Sequence, residues 1–238
     1  MTVANNYFNF KQFTINQDKS AFKVGTDSVL LGAFINVAGS KNILDIGTGT
    51  GVIVIMLAQR SDAEISAIEP DPDSFSQACE NVSHCKWHNR INVENTTLQN
   101  YHPGKGKFDL IVSNPPYFNN SLKNPDPRKS AARHNYALNP DEILEGVIRL
   151  LDDQGSFHLI LPYVEGNIFI AEAQQFGLYC NSILKIKPLP GAEIKRLILS
   201  FSRDRKKASE KFLTIEHGKR HEFTEEYINL TKDFYLKF

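Results

Sequence analysis

Ten residues, Asn42-Ile43-Leu44-Asp45-Ile46-Gly47-Thr48-Gly49-Thr50-Gly51, constrain the fold of this chain more than any others. An apolar run reaches an acid, three glycines alternate with small residues, and the apolar segment Val52 to Arg60 follows at once. This pattern reads as a buried strand, a tight turn and a helix. A strand that leaves through a helix returns parallel to itself, because a hairpin has no room for the helix.

The pattern repeats downstream. Glu64 to Ile68 is the next strand and ends at Glu69. Asp73 to Ser83 reads as a helix, Ile91 to Glu94 as a strand, and Phe108 to Val112 as a further strand. Asn139-Pro140-Asp141-Glu142 opens a helix running to about Leu151, with Asn as cap, Pro at the first position and Glu at the third. Ser156 to Leu161 is a strand, and Val164 to Gln175 is a helix stopped at Gly177. Asn181 to Lys187 and Lys195 to Ser202 read as a late antiparallel pair joined through Pro188 to Gly191. Thr224 caps a last helix with Tyr227, Leu230, Thr231 and Phe234 on one face. At the start, Asn9 to Ile15 reads as one short strand with Phe10, Phe13 and Ile15 in the core. Thr26 or Asp27 caps a helix over Ser28 to Phe34. The expected fold is α/β, with a mostly parallel sheet, an antiparallel strand addition and N- and C-terminal extensions. One domain covers residues 1–238: an extension over 1–40, a core over 41–202, and a basic segment with the last helix over 203–238.

Charge is zero overall but unevenly placed. Lys185 to Arg220 holds eleven Lys or Arg against four Asp or Glu, and Lys123 to Tyr136 holds four against one. Two basic segments on an acidic body suggest a polyanion contact. Solvated strand ends and turns are the plainer reading of either segment alone. Cys79, Cys85 and Cys180 form no even framework and no Cys-x-x-Cys pair, which points to a reduced cytoplasm. No run of 18 apolar residues occurs, and the first residues lack a charged start and an apolar signal core, so neither a membrane span nor a signal peptide is expected. Cys79, His84, Cys85 and His88 lack a second ligand pair, so no metal is expected.

The glycine turn implies a nucleotide-like ligand, because Gly47 and Gly49 permit close approach to the backbone. Its spacing is Gly-x-Gly-x-Gly with Val52 at the sixth position, where a dinucleotide fingerprint wants Gly or Ala. That departure disfavours nicotinamide and flavin, whereas S-adenosylmethionine (SAM) has no pyrophosphate needing the same helix-end geometry. Asp45, Gly47, Thr48, Gly49 and Gly51 are the turn's candidate contacts. Glu69, 24 residues after Asp45, is placed to accept both ribose hydroxyls. Asp45 tethers the turn or faces the amino acid portion. Thr97 is the candidate at the adenine end.

Asn114-Pro115-Pro116-Tyr117 follows the strand over Phe108 to Val112 and suggests the acceptor. The exocyclic amine of a base is a poor nucleophile because its lone pair is delocalised into the ring. The Asn114 side-chain oxygen and the Pro115 carbonyl are two acceptors for its two N–H groups. Consecutive prolines hold that carbonyl still, and Tyr117 offers a stacking face. Rate then comes from positioning the nitrogen against a methyl sulfonium, without a strong general base. Asn-Pro also forms plain turns. From residues alone, adenine N6, guanine N2 and the side-chain amide of a protein glutamine are all planar nitrogens that suit the site. A non-catalytic RNA-binding module with a relic site is the alternative outside enzymes. The polar span from Phe118 to Leu138 reads as a functional or mobile loop.

Phe22-Lys23-Val24-Gly25-Thr26-Asp27, the turn from Asp45 to Gly51, Asn114-Pro115-Pro116-Tyr117, Ala132-Arg133-His134 and Phe234-Tyr235-Leu236 together resemble the bacterial tRNA1(Val) (adenine(37)-N6)-methyltransferase family. The resemblance spans nearly the whole chain. It implies a Rossmann-like class I methyltransferase, SAM as donor, and an adenine beside the tRNA anticodon as acceptor. It also implies that Lys23, Gly25 and Thr26 close over the methionine end of the cofactor. A tRNA partner requires a grip on the flanking backbone. The expected contacts are Lys195, Arg196, Arg203, Arg205, Lys206 and Lys207, assisted by Arg128, Lys129, Arg133 and His134. A monomer is expected.

Overall fold

A computed structural model describes residues 5–104, 106–116 and 138–238. Its main sheet begins with β3 (Asn42–Ile46), β4 (Glu64–Ile68) and β5 (Ile91–Glu94), which are parallel and laid side by side in chain order. Helices α2 (Val52–Arg60) and α3 (Pro72–Ser83) make the crossovers. The next strand, β6 (Phe108–Ser113), pairs with the other side of β3. The order of growth reverses there, and such a switch point leaves a crevice beyond the carboxyl ends of the two strands.

From β6 the sheet continues through α4 (Pro140–Leu150) to β7 (Leu151–Pro162), then through α5 (Tyr163–Gln175) to β8 (Tyr179–Lys187) and β9 (Arg196–Ser202). β9 inserts antiparallel between β7 and β8. The expected late strand pair therefore forms, and β10 (Ser209–Thr214) adds parallel to β8 as the outer strand. β10 was not anticipated. Only Leu213 in it is buried, and Glu210, Lys211 and Phe212 are exposed, so neither alternation nor an apolar run marks it.

Two apolar cores flank the sheet. One holds α1 (Thr26–Phe34), α2 and α6 (Glu225–Thr231), with Leu30, Ile55 and Tyr227 among its buried residues. The other holds α4 and α5, with Leu144, Phe157 and Phe169. The single strand expected near the N-terminus is instead a hairpin, β1 (Tyr7–Asn9) with β2 (Thr14–Asn16). Phe10 and Phe13 are buried in its turn, with rings 4.6 Å apart. Phe10 also stacks on Tyr235 at 6.0 Å, so the two extensions pack on each other.

Local signals held at several helix ends. Asn139 and Glu142 form the reciprocal cap of α4. The Thr224 hydroxyl accepts from Tyr227 N and caps α6. Gly177, with φ of +74°, follows α5. α1 starts earlier than expected: Gly25 is its cap, and Thr26 and Asp27 lie within it.

Candidate active site

The crevice at the switch point is a cavity of about 420 Å³, within the range of small-molecule sites. Three segments build it. The glycine turn after β3 contributes Gly47, Thr48 and Gly49; the end of β4 contributes Glu69, Pro70 and Asp71; Asn114, Pro115 and Pro116 enter from the end of β6. A fourth wall comes from Phe22, Lys23, Gly25 and Thr26, which lead into α1.

Gly47 and Gly49 have φ of +73° and +60°, and nothing lies within 4 Å of where a Cβ would stand on either. The turn therefore presents bare backbone to open space, as a close ligand requires. Gly51 (φ +79°) faces α3 at Ala78 instead and does not line the cavity. It serves the crossing of turn and helix.

Glu69 is buried. Its Oε2 accepts from Gly49 N at 2.8 Å and its Oε1 from Asp71 N at 3.0 Å. One carboxylate thus ties the glycine turn to the start of α3, whose cap is Asp71. Burial pushes its pKa up to about 7, against those two N–H donors. Asp45 lies fully buried at the end of β3, and neither of its oxygens has a hydrogen-bond partner among the described residues. Burial raises its pKa to about 7; the Thr48 hydroxyl, close by but in hydrogen-bonding geometry with neither oxygen, works against this and the Glu69 charge adds to it.

These observations fit SAM. The open glycine turn admits the ligand, and each Glu69 oxygen keeps a lone pair for a ribose hydroxyl. Asp45, expected to tether the turn or face the amino acid portion, is fully buried and does not line the cavity. The Thr97 hydroxyl accepts from Asn100 N at 3.3 Å and does not line the cavity. That local turn explains its place in the chain and gives it no contact here.

A further bond sets the acceptor strand against the cofactor turn. Ser113 Oγ donates to Ile46 O at 2.9 Å, locking the last residues of β6 and β3 together immediately before Asn114 and Gly47. Nothing in the sequence marks Ser113 for this role, because its partner is a backbone carbonyl 67 residues away. Asp71 and Ser74, which also line the cavity, were missed as well. Their signal is Asp71-Pro72, a cap followed by Pro at the first helical position.

The basic segment is not brought together. Strand β9 starts at the crevice edge with Arg196 opposite Pro162 and runs away from it to Ser202, so Arg203, Arg205, Lys206 and Lys207 follow at the far edge. Six residue steps place them about 20 Å from that end. Arg203 Nη2 donates to Ile148 O at 2.8 Å, and Arg205 lies 5.8 Å over the Tyr179 ring. Lys206 pairs with Asp204 at 3.1 Å. Arg196 is on the crevice side, but its Nε donates to Asp27 Oδ2 at 2.8 Å, bracing the wall that α1 supplies. Lys195 beside it is exposed. Tyr117, Arg128, Lys129, Arg133 and His134 lie outside the described residues. Among the described residues, no group of three His, Cys, Asp or Glu is arranged to hold a metal, and no helix is long and apolar enough to cross a membrane.

The unpartnered Asp45 carboxylate has a measurable consequence. Its pKa is raised in the folded state, so the folded protein keeps a proton that the unfolded chain loses. That contribution to stability is complete below the ordinary carboxylate pKa and disappears as pH rises through about 7. Asp45→Asn is therefore expected to gain on the wild type as pH increases from 4 to 8, in thermal unfolding without ligand. His158, buried between Ser156 and Ser200 with its pKa lowered to about 4, is common to both proteins and cancels in the difference. A difference in midpoint that does not change with pH would exclude the raised pKa.

Strand order, switch-point crevice and glycine turn define a Rossmann-like SAM-dependent methyltransferase. The methyltransferase small domain family matches residues 18–134. A solved structure, a predicted O-methyltransferase from Agrobacterium tumefaciens, shares the fold at a TM-score of 0.67 and 18% identity, over 87% of this chain and 96% of its own. The relatives are more specific. A tRNA1(Val) (adenine(37)-N6)-methyltransferase of Trichodesmium erythraeum is 43% identical over 99% of this chain and 100% of its own length. One of Bacteroides fragilis is 45% identical over 97% and 98%. The chain belongs to the tRNA1(Val) (adenine(37)-N6)-methyltransferase family.

Proposed function

We infer that this protein methylates N6 of an adenine in tRNA, at position 37 of tRNA1(Val), with SAM as the donor. One observation carries the reading: Asn114-Pro115-Pro116 enters the same cavity as the glycine turn and Glu69. When bound, SAM supplies an electrophilic methyl group. The residues that would hold it are Gly47, Thr48, Gly49 and Glu69, with Lys23, Gly25 and Thr26 on the wall that leads into α1. Asn114 and the Pro115 carbonyl accept the two N–H groups of the amine, and the rigid prolines keep those acceptors in place. No side chain is needed to remove a proton beforehand, because the methylated ammonium is itself acidic.

The family relationship supports adenine over guanine N2 and over a protein glutamine amide. A single-domain monomer acting in the cytoplasm, where tRNA resides and cysteines stay reduced, is part of the same proposal. The test uses the purified protein with methyl-labelled SAM, an unmodified tRNA1(Val) transcript and, separately, a peptide-chain release factor. Label in N6-methyladenosine after digestion of the tRNA is the expected result. Label only in a glutamine of the release factor, or in N2-methylguanosine, would overturn the adenine assignment.

A further inference from the structure

We propose that the outer end of the sheet, on the face carrying α4 and α5, is a second RNA contact, in which Phe212 stacks an unpaired base flanking the methylated nucleotide. The proposal rests on the tRNA reading above and adds the place where the RNA is held.

Phe212 is 61% exposed on the outermost strand. Leu213 next to it enters the core, so Phe212 projects from the opposite face of the sheet. In register it lies across from Lys185, and Lys185 Nζ and Lys187 Nζ stand 5.5 and 5.9 Å from its ring centroid. Lys185 is bridged to Glu210, whereas Lys187 sits at the crevice end of β8. An exposed phenyl on an open strand edge invites association with another chain, and lysines beside it oppose that. Lysines with an accessible aromatic face are instead the combination that grips single-stranded nucleic acid: charge for the backbone, ring for the base.

The position is continuous with the acceptor pocket. Along the crevice edge the strands run β6, β7, β9, β8 and β10. Asn114 follows β6, Tyr163 follows β7, Lys195 precedes β9, and Lys187 ends β8. Four strand spacings of about 4.8 Å put the far end of this path about 19 Å from Asn114. Tyr163 is 41% exposed, and its backbone N donates to Lys195 O at 3.2 Å, which seats an aromatic residue beside a base midway. The basic turn from Arg203 to Lys207 is at the other edge and off this path.

The test measures binding of the unmodified tRNA1(Val) transcript at several salt concentrations, with SAM affinity measured by calorimetry. Phe212→Ala is expected to raise the tRNA Kd about tenfold, the usual cost of one lost base stack. Phe212→Trp should bind as the wild type does, and SAM affinity should be the same in all variants. Lys187→Ala should lower the slope of log affinity against log salt by about 1. Neutralising Arg205, Lys206 and Lys207 together should leave tRNA binding unchanged. Wild-type binding by Phe212→Ala would overturn the proposal, as would an equal loss in the variant neutralised at Arg205, Lys206 and Lys207. Self-association in the ultracentrifuge that Phe212→Ala abolishes, with tRNA binding intact, would assign the surface to a second copy of the chain. A wild type that binds tRNA without methylating it would sink the catalytic reading and leave the surface to be judged on binding alone.

Discussion

Asn114→Ala is expected to lower single-turnover methyl transfer about 10²–10³-fold, the usual effect of removing one preorganised polar contact at a reacting centre. The reason lies in what precedes the residue. β6 is central in the sheet, between β3 and β7, and its last residue is bonded through Ser113 Oγ to the carbonyl of Ile46. The backbone that carries Asn114 is therefore held against the glycine turn before any substrate arrives. What the substitution removes is the acceptor for one N–H of the amine, and with it the bias that brings the lone pair out of the plane. SAM affinity should stay within a few-fold, because the turn and Glu69 are untouched. Near-normal turnover with saturating tRNA would rule out this role. Asn114→Asp offers a sharper comparison: it keeps an acceptor oxygen but adds a charge to the cavity that Glu69, a buried acid with raised pKa, already lines.

Much of this site was legible because its chemistry is local in the chain. The glycine turn and the Asn-Pro-Pro run each need only a few adjacent residues, and each stands at the end of an apolar strand. The parallel sheet followed from the same alternation. What was not legible depends on direction and register. Arg196 and Arg203 are seven positions apart and read as one basic segment. They occupy opposite edges of the sheet because an intact strand separates them. Phe212 reads as one more apolar residue until the burial of Leu213 shows which way the strand faces. The Ser113 bond and the Arg196–Asp27 brace join residues far apart in the chain, and no spacing rule predicts such pairs.

Glu69→Ala is expected to weaken SAM binding about 10²-fold or more while leaving tRNA affinity unchanged. Two losses combine. The first is the acceptor for the ribose hydroxyls. The second is internal: Gly49 N and Asp71 N lose the carboxylate that both donate to. An N–H left unpaired in a buried place costs about 1–3 kcal/mol, so the turn and the start of α3 would be freed from each other. At about 1.4 kcal/mol per decade, the second loss alone is worth roughly 5- to 100-fold. Glu69→Gln separates them only in part, since its amide nitrogen must face one of two N–H donors and leave that one unsatisfied. Glu69→Gln is therefore expected to fall between the wild type and Glu69→Ala in SAM affinity. Removing a buried carboxylate whose pKa is pushed up to about 7 also relieves the unliganded protein near neutral pH. Thermal stability without SAM should then change far less than SAM affinity does. Calorimetric titration of SAM, paired with thermal unfolding of the unliganded variants, checks both statements. Unchanged SAM affinity in Glu69→Ala would exclude the ribose role. A large loss of stability with proportionally little loss of affinity would make Glu69 a structural tie and nothing more.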